Sequence, residues 1–310
     1  MELVERLLEK DKRACARLIT LVENDAPEAK QALRELYPYT GGAYIIGVTG
    51  PPGAGKSSLV DKLTQVYREQ DKTVGVIAVD PSSPFTGGAL LGDRIRMQDR
   101  ATDPGVFIRS MGTRGHMGGL ALSTKDVIKI LDAFGKDIII VETVGTGQDE
   151  VDIVKAADTV IVVTMPSMGD DIQAIKAGIL EIGDIFVVNK ADLDYADRAV
   201  MELEMMIELN SQKKWHPPVL RTQANMGEGI AELAKAIQNH REYLEKEDLL
   251  EENRRRKVEI ELLEVLNQYI VKEILEKARK TDEFDNLVTC IVQREMDCYT
   301  AAEKLLQVRT

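Results

Sequence analysis

The residues best suited to chemistry form one run, Gly50-Pro51-Pro52-Gly53-Ala54-Gly55-Lys56-Ser57-Ser58. It fits the phosphate-binding pattern G-x-x-x-x-G-K-[ST], with both glycines, the lysine and the hydroxyl in place. Glycines let backbone N–H groups curl around a β-phosphate, and a helix N-terminus behind the loop adds favourable partial charge. Lys56 is expected to neutralise β/γ-phosphate oxygens, and the Ser57 hydroxyl to ligate Mg²⁺. The whole run from Gly50 to Ser58 is expected to cradle a nucleotide.

A second run speaks to the base. Asn189-Lys190-Ala191-Asp192 matches N-K-x-D. A carboxylate held in the plane of a base accepts from the N1 and N2 donors of guanine. Adenine has no such donor pair and would leave the acid unpaired, which is costly in a buried site. The base expected is therefore guanine, recognised through Asn189, Lys190 and Asp192. Gln223-Ala224-Asn225 falls where a further loop would bring backbone N–H groups to guanine O6, with Gln223 at a position where serine is usual.

Glu142-Thr143-Val144-Gly145 stands where many GTPases carry D-x-x-G. Glu142 is expected to hold Mg²⁺ through water, and the Gly145 N–H to meet the γ-phosphate. Asp80 and Asp93 are further acids for the metal's surroundings, although Mg²⁺ needs only one or two carboxylates beside phosphates and water. Gln148 is a candidate for orienting the attacking water, displaced three residues beyond Gly145. Arg94, Arg96, Arg109 and Arg114 are placed in loops at the phosphate end. There one of them could stabilise developing charge, or each could order a loop through a salt bridge.

Such residues need a scaffold. Apolar, β-branched runs at 44–49, 73–80, 106–111, 138–142, 160–165 and 185–190, with a weaker one at 218–222, alternate with helical patterns. Continuous apolar strands separated by helices predict an α/β fold, a mostly parallel sheet covered on both faces. Ligands in such sheets bind beyond the strand C-termini, where Asp80, Glu142 and Asn189 all fall. Residues 1–40 predict a helical extension broken at Asn24-Asp25-Ala26-Pro27, with Pro27 suited to a helix start. The nucleotide-binding domain is expected over 41–245 and a helical arm over 246–310. In that arm Val258, Leu262, Val265 and Tyr269, widened by Leu263, Leu266, Ile270 and Ile274, form an apolar stripe. It must be covered either by its own core or by another subunit.

Bulk composition narrows the partners. The 310 residues are 44% hydrophobic and 30% charged, an ordinary globular balance, and the formal net charge is −12. Such an acidic surface repels phosphate backbones, so neither nucleic acid nor an anionic membrane is the expected partner. Cys15, Cys290 and Cys298 form no C-x-x-C, and His116, His216 and His240 form no ligand cluster, which leaves a zinc or nickel site unsupported. No apolar run reaches a membrane span, and the first residues resemble no targeting segment, so a cytoplasmic location is expected.

With these motifs in order, the chain resembles the MeaB/ArgK-like P-loop GTPases of the SIMIBI class, chaperones of adenosylcobalamin-dependent methylmalonyl-CoA mutase. The resemblance runs through Gly50 to Ser57, Ala78 to Pro84, Gly87 to Arg94, Arg109 to Leu120, Glu142 to Gln148 and Gly169 to Ile182. It implies GTP and GDP as ligands, with Mg²⁺ near Ser57, Asp80, Asp93 and Glu142. It also implies a switch segment around Asp170, Gln173 and Lys176, and a homodimer held by the C-terminal helices. The function it implies is a GTP-hydrolysing switch that gates cofactor loading and protects or reactivates an acyl-CoA mutase, which in turn accelerates hydrolysis. Ser167, where glycine is common, and Gly183, where alanine is usual, depart from the pattern. The residues leave open a kinase linked to amino-acid transport, a nickel-delivery GTPase, and a GTP-binding scaffold with negligible turnover.

Overall fold

The strand β1 (Tyr44–Thr49) sits at the centre of a seven-stranded sheet in the order β3-β2-β4-β1-β5-β6-β7, every pair parallel. Its companions are β2 (Val74–Asp80), β3 (Val106–Gly112), β4 (Ile138–Thr143), β5 (Thr159–Thr164), β6 (Ile185–Asn189) and β7 (Val219–Thr222). These positions come from a computed structural model that describes residues 2–80, 102–112, 119–143, 156–166, 177–210 and 214–307. The expected α/β fold is therefore present, with all the anticipated strands. The run at 218–222 was weak in sequence because β7 is an edge strand, half-buried rather than enclosed on both faces.

Successive strand residues point to opposite faces, so each strand feeds two cores. Ile139 and Val141 of β4 join Ile77, Val79, Phe107 and Met111 on one face. That face is covered by α1 (Glu2–Leu8), α2 (Lys12–Glu23), α3 (Pro27–Leu36) and α5 (Gly119–Ala133). Ile138 and Ile140 turn the other way and meet Ile46, Val48, Ile161 and Val163. There α4 (Lys56–Glu69) and α8 (Ile230–Lys246) supply Leu59, Leu63, Leu233 and Ile237. A third cluster joins Val162, Phe186 and Val188 to Ala199, Val200 and Leu203 of α7 (Ala196–Asn210). Gly183 follows α6 (Ala177–Ile182), and a Cβ there would stand 2.4 Å from the Phe186 ring.

The N-terminal helices are part of this core. Leu7, Leu18, Ile19 and Leu36 are all buried in the first cluster, and Pro27 opens α3 at a position where its missing N–H costs nothing. Arg109 corrects one expectation. It lies within β3, not in a loop at the phosphate end, and its guanidinium pairs with Glu23 of α2 while reaching Thr20 Oγ1 at 3.2 Å. A half-buried strand cation takes the nearest carboxylate, here on α2. Arg94, Arg96 and Arg114 lie outside the described residues.

At the sheet end away from the phosphate loop, Lys136 is buried and donates to Gly105 O at 2.8 Å. Burial, with Lys12 adding repulsion, pulls its ammonium pKa down to about 8.

The chain forms two compact units, Met1–Glu251 and Glu252–Thr310. The second comprises most of α9 (Leu249–Lys280), with α10 (Glu283–Val292) and α11 (Cys298–Gln307). Its charges pair along α9 as i,i+4 partners, Arg255 with Glu259, Arg256 with Glu252 and Lys277 with Glu273. Val258, Leu262, Leu263, Leu266 and Tyr269 of the same helix are exposed.

Candidate functional site

The phosphate loop follows β1 directly and ends at Gly55, which caps α4. Two of its glycines answer to tight approaches. Gly50 adopts φ +138°, and a Cβ there would lie 1.9 Å from Val163 O of the neighbouring strand β5. Gly55 adopts φ +88°, and its Cβ would stand 2.3 Å from Asn189 Nδ2. Any side chain would thus displace the loop from both the strand beside it and the base-binding segment. Lys56 opens α4, is buried, and folds back so that Nζ donates to Gly50 O at 2.7 Å and Pro51 O at 3.0 Å.

The next residue along α4 meets the end of β4. The Ser57 hydroxyl donates to Glu142 Oε1 at 2.6 Å, and Glu142 is only 8% exposed. Two hard oxygen donors therefore already meet beside the lysine. Asp80 closes β2 at the same end of the sheet, since Val79 is in register with Thr143, the residue after Glu142.

The two sequence motifs are physically one assembly because of Asn189. The residue is 2% exposed, and its Nδ2 donates to Ala54 O of the phosphate loop at 2.7 Å. Its Oδ1 accepts from Thr222 Oγ1 and from the Ala224 backbone amide, each at 3.0 Å. The phosphate loop, the end of β6 and the loop after β7 are thereby held at fixed distances. Lys190 follows with φ +57°, a left-handed conformation that turns the chain away from the strand, and its Nζ lies 3.8 Å from Met165 Sδ. Ala191 N donates to Thr222 O at 3.0 Å, so the segment leading to Asp192 is anchored by backbone as well.

These pieces enclose a cavity of about 760 Å³, within the range of small-molecule sites. It is lined by Pro52, Gly53, Gly55, Lys56, Ser57 and Ser58 from the loop and α4, and by Glu142 from β4. Asn189, Lys190, Asp192, Gln223, Ala224 and Asn225 line its remaining side. Gly50, Pro51 and Ala54 stand behind this surface, the first two offering carbonyls to Lys56 and the third to Asn189. Met226 is a lining residue that neither motif contains, and no pattern in the sequence marks it. Gly145, Gln148, Asp93, Asp170, Gln173, Lys176 and Ser167 lie outside the described residues. Among the described residues, no group of three or more His, Cys, Asp or Glu side chains is placed to hold a metal ion.

Comparison with known proteins agrees with this geometry. The profile of the family described as "Methylmalonyl Co-A mutase-associated GTPase MeaB" matches residues 15–279. A Pyrococcus abyssi protein named as a GTPase is 55% identical over 310 residues, covering 99% of this chain and 95% of its own. GTPase ArgK of Escherichia coli is 34% identical over 293 residues, covering 92% of this chain and 87% of its own. A solved structure described as an LAO/AO transport system kinase superposes with a TM-score of 0.75 at 26% identity, covering 100% of this chain and 97% of that one. The phosphate loop, the base-binding segment and their shared cavity thus sit in a chain that belongs to the MeaB family of methylmalonyl-CoA mutase-associated GTPases, and this protein is a GTPase.

Proposed function

We propose that this GTPase is a nucleotide-dependent switch for an adenosylcobalamin-dependent acyl-CoA mutase, gating cofactor loading and protecting or reactivating the enzyme. The observation that carries the reading is the family match over residues 15–279, in a chain whose cavity joins a complete phosphate loop to an N-K-x-D segment. The name of a mouse relative, "Methylmalonic aciduria type A homolog, mitochondrial", 37% identical over 256 residues, points to the same metabolism. The same reading makes the exposed α9 stripe from Val258 to Tyr269 a homodimer surface and 246–310 the arm that carries it. It takes Asp170, Gln173 and Lys176 as the segment that reports the nucleotide to the mutase, and the cytoplasm as the working compartment. No helix among the described residues is long and apolar enough to cross a membrane.

In this reading the chain acts by positioning and charge more than by covalent chemistry. Lys56 leaves its two loop carbonyls for the β/γ oxygens, and the N-terminus of α4 faces the phosphates. Asp192 fixes the base edge, while Asn189 keeps the base and phosphate subsites in register. Gly145 would donate its N–H to the γ-phosphate, and Gln148 would orient the water. The residues present suit Mg²⁺: a hydroxyl and a carboxylate, 2.6 Å apart, are the hard oxygen donors it prefers. Ser57 and Glu142 would hold the ion, with Asp80 and Asp93 near. When bound it would neutralise charge on the phosphate oxygens.

The test is phosphate release from GTP and from ATP, with and without a purified cobalamin-dependent acyl-CoA mutase from the same organism. Slow, GTP-specific release that the mutase accelerates is expected. Release indifferent to every such mutase would remove the chaperone role and leave the GTPase. The naming of the structural neighbour as a kinase favours a second reading, transfer to an acceptor rather than to water. Label from the γ-phosphate appearing on a protein or small molecule would establish it.

A further inference from the structure

Met226 lines the same cavity as Lys190 and Asp192, yet 74% of its surface is exposed. A single exposed methionine is ordinary on a protein surface. This one is held in place at the base end of a ligand cavity. Its own amide donates to Gln223 O at 2.9 Å, and Gly227 N donates to Ala224 O at 3.2 Å. Gln223 N reaches Glu228 O at 3.1 Å, closing the loop, while Ala224 N is tied to Asn189 Oδ1 at 3.0 Å. Behind the loop, Gly229 lies so close to the strand end that a Cβ would stand 2.2 Å from Arg221 O. The backbone that carries the thioether is therefore fixed relative to the segment that reads the base.

An in-plane carboxylate such as Asp192 addresses only the edge of a purine. The two faces of the ring remain to be covered, and polar edge contacts do nothing for them. Lys190, another lining residue, has a methylene stem whose apolar surface could cover one face. Methionine suits the other role. It is unbranched and polarisable, and its sulfur interacts favourably with aromatic rings. We infer that Met226 is the apolar cover of the bound guanine, its thioether lying against the purine face. This rests on reading 189–192 as the base-recognition segment. A face contact is blind to the exocyclic groups, so Met226 contributes affinity for any purine, while Asp192 chooses guanine.

The experiment compares wild type, Met226→Ala and Met226→Leu by calorimetric titration with GDP and with ADP, and by competition with inorganic tripolyphosphate. Met226→Ala is expected to weaken GDP by roughly two- to tenfold and to weaken ADP by the same factor, leaving the GDP/ADP preference unchanged. Tripolyphosphate, which has no base, is expected to bind wild type and Met226→Ala with the same affinity, and leucine to restore most of the loss. Because the side chain is exposed, melting temperatures should agree within error. Unchanged GDP affinity in Met226→Ala, or an equal loss for tripolyphosphate, would overturn the inference. Wild-type protein that holds ADP as tightly as GDP would overturn the guanine reading instead, and the nucleotide-against-tripolyphosphate comparison would still decide the role of Met226.

Discussion

Asn189→Ala should be the most informative single change in this molecule, because one buried side chain connects three distant stretches. The substitution abandons Ala54 O, the Thr222 hydroxyl and the Ala224 amide, which Asn189 now satisfies at 2.7, 3.0 and 3.0 Å. A buried polar group left without a partner costs about 1–3 kcal/mol. The residue borders the cavity, so water can reach some of the abandoned groups, and a total of about 3–5 kcal/mol is expected. For a chain of 310 residues, with an unfolding entropy of about 2.1 cal/mol/K per residue, that lowers the melting temperature by about 5–8 °C. Nucleotide affinity should fall further than stability alone requires, since the phosphate loop and base loop lose their common reference. Thr222→Val supplies the control: it removes one of the three bonds, and its penalty should largely vanish when Asn189 is already alanine. Thermal melts of the four proteins, with and without saturating GDP, give the cycle. A melting shift below about 2 °C, or a Thr222→Val penalty identical in both backgrounds, would refute the claim that Asn189 carries this coupling.

Lys56→Ala should lower GTP hydrolysis by about 10²–10³, because it deletes the charged donor that the phosphate loop holds in the cavity, and phosphate-release assays at saturating GTP would show it. A loss below about tenfold would assign the phosphate charge to other groups. Lys136 gives a pH signature. Its pKa is about 8 in the folded chain against 10.5 for an ordinary lysine, so between these values the unfolded chain binds more protons and stability from this group rises with pH. Below pH 8 the folded chain must bury the ammonium at full cost. Denaturant melts of wild type and Lys136→Met across pH 7 to 10.5 should show wild type gaining on the variant, and parallel curves would refute the burial argument.

The strands and the loop were legible because their signals are local. A parallel strand enclosed on both faces must be continuously apolar, and Ile138–Thr143 or Thr159–Thr164 can be read as such without knowing their neighbours. The left-handed turns of Gly50 and Gly55 belong to the phosphate-loop pattern itself. The i,i+4 charges of α9 are equally local, and pair as their spacing requires. β7 was faint for the same reason the others were clear, since an edge strand has only a half-buried pattern to show.

What the amino-acid order alone determined, then, was the succession of strands and helices and the presence of phosphate-binding and base-binding segments. Only the tertiary structure decided how those segments meet. Asn189 and Ala54 are 135 residues apart, and nothing in either stretch announces a shared hydrogen bond. The position of Arg109 in the chain points to the phosphate end, yet Glu23 claims it from a helix folded over the opposite sheet face to α4. At Gly183 the Phe186 ring lies in the space that a Cβ would take. Met226 carries no pattern at all. Periodicity reports which face of an element is buried, whereas these contacts depend on which elements the sheet order brings together, and that order is set by the packing of the whole core.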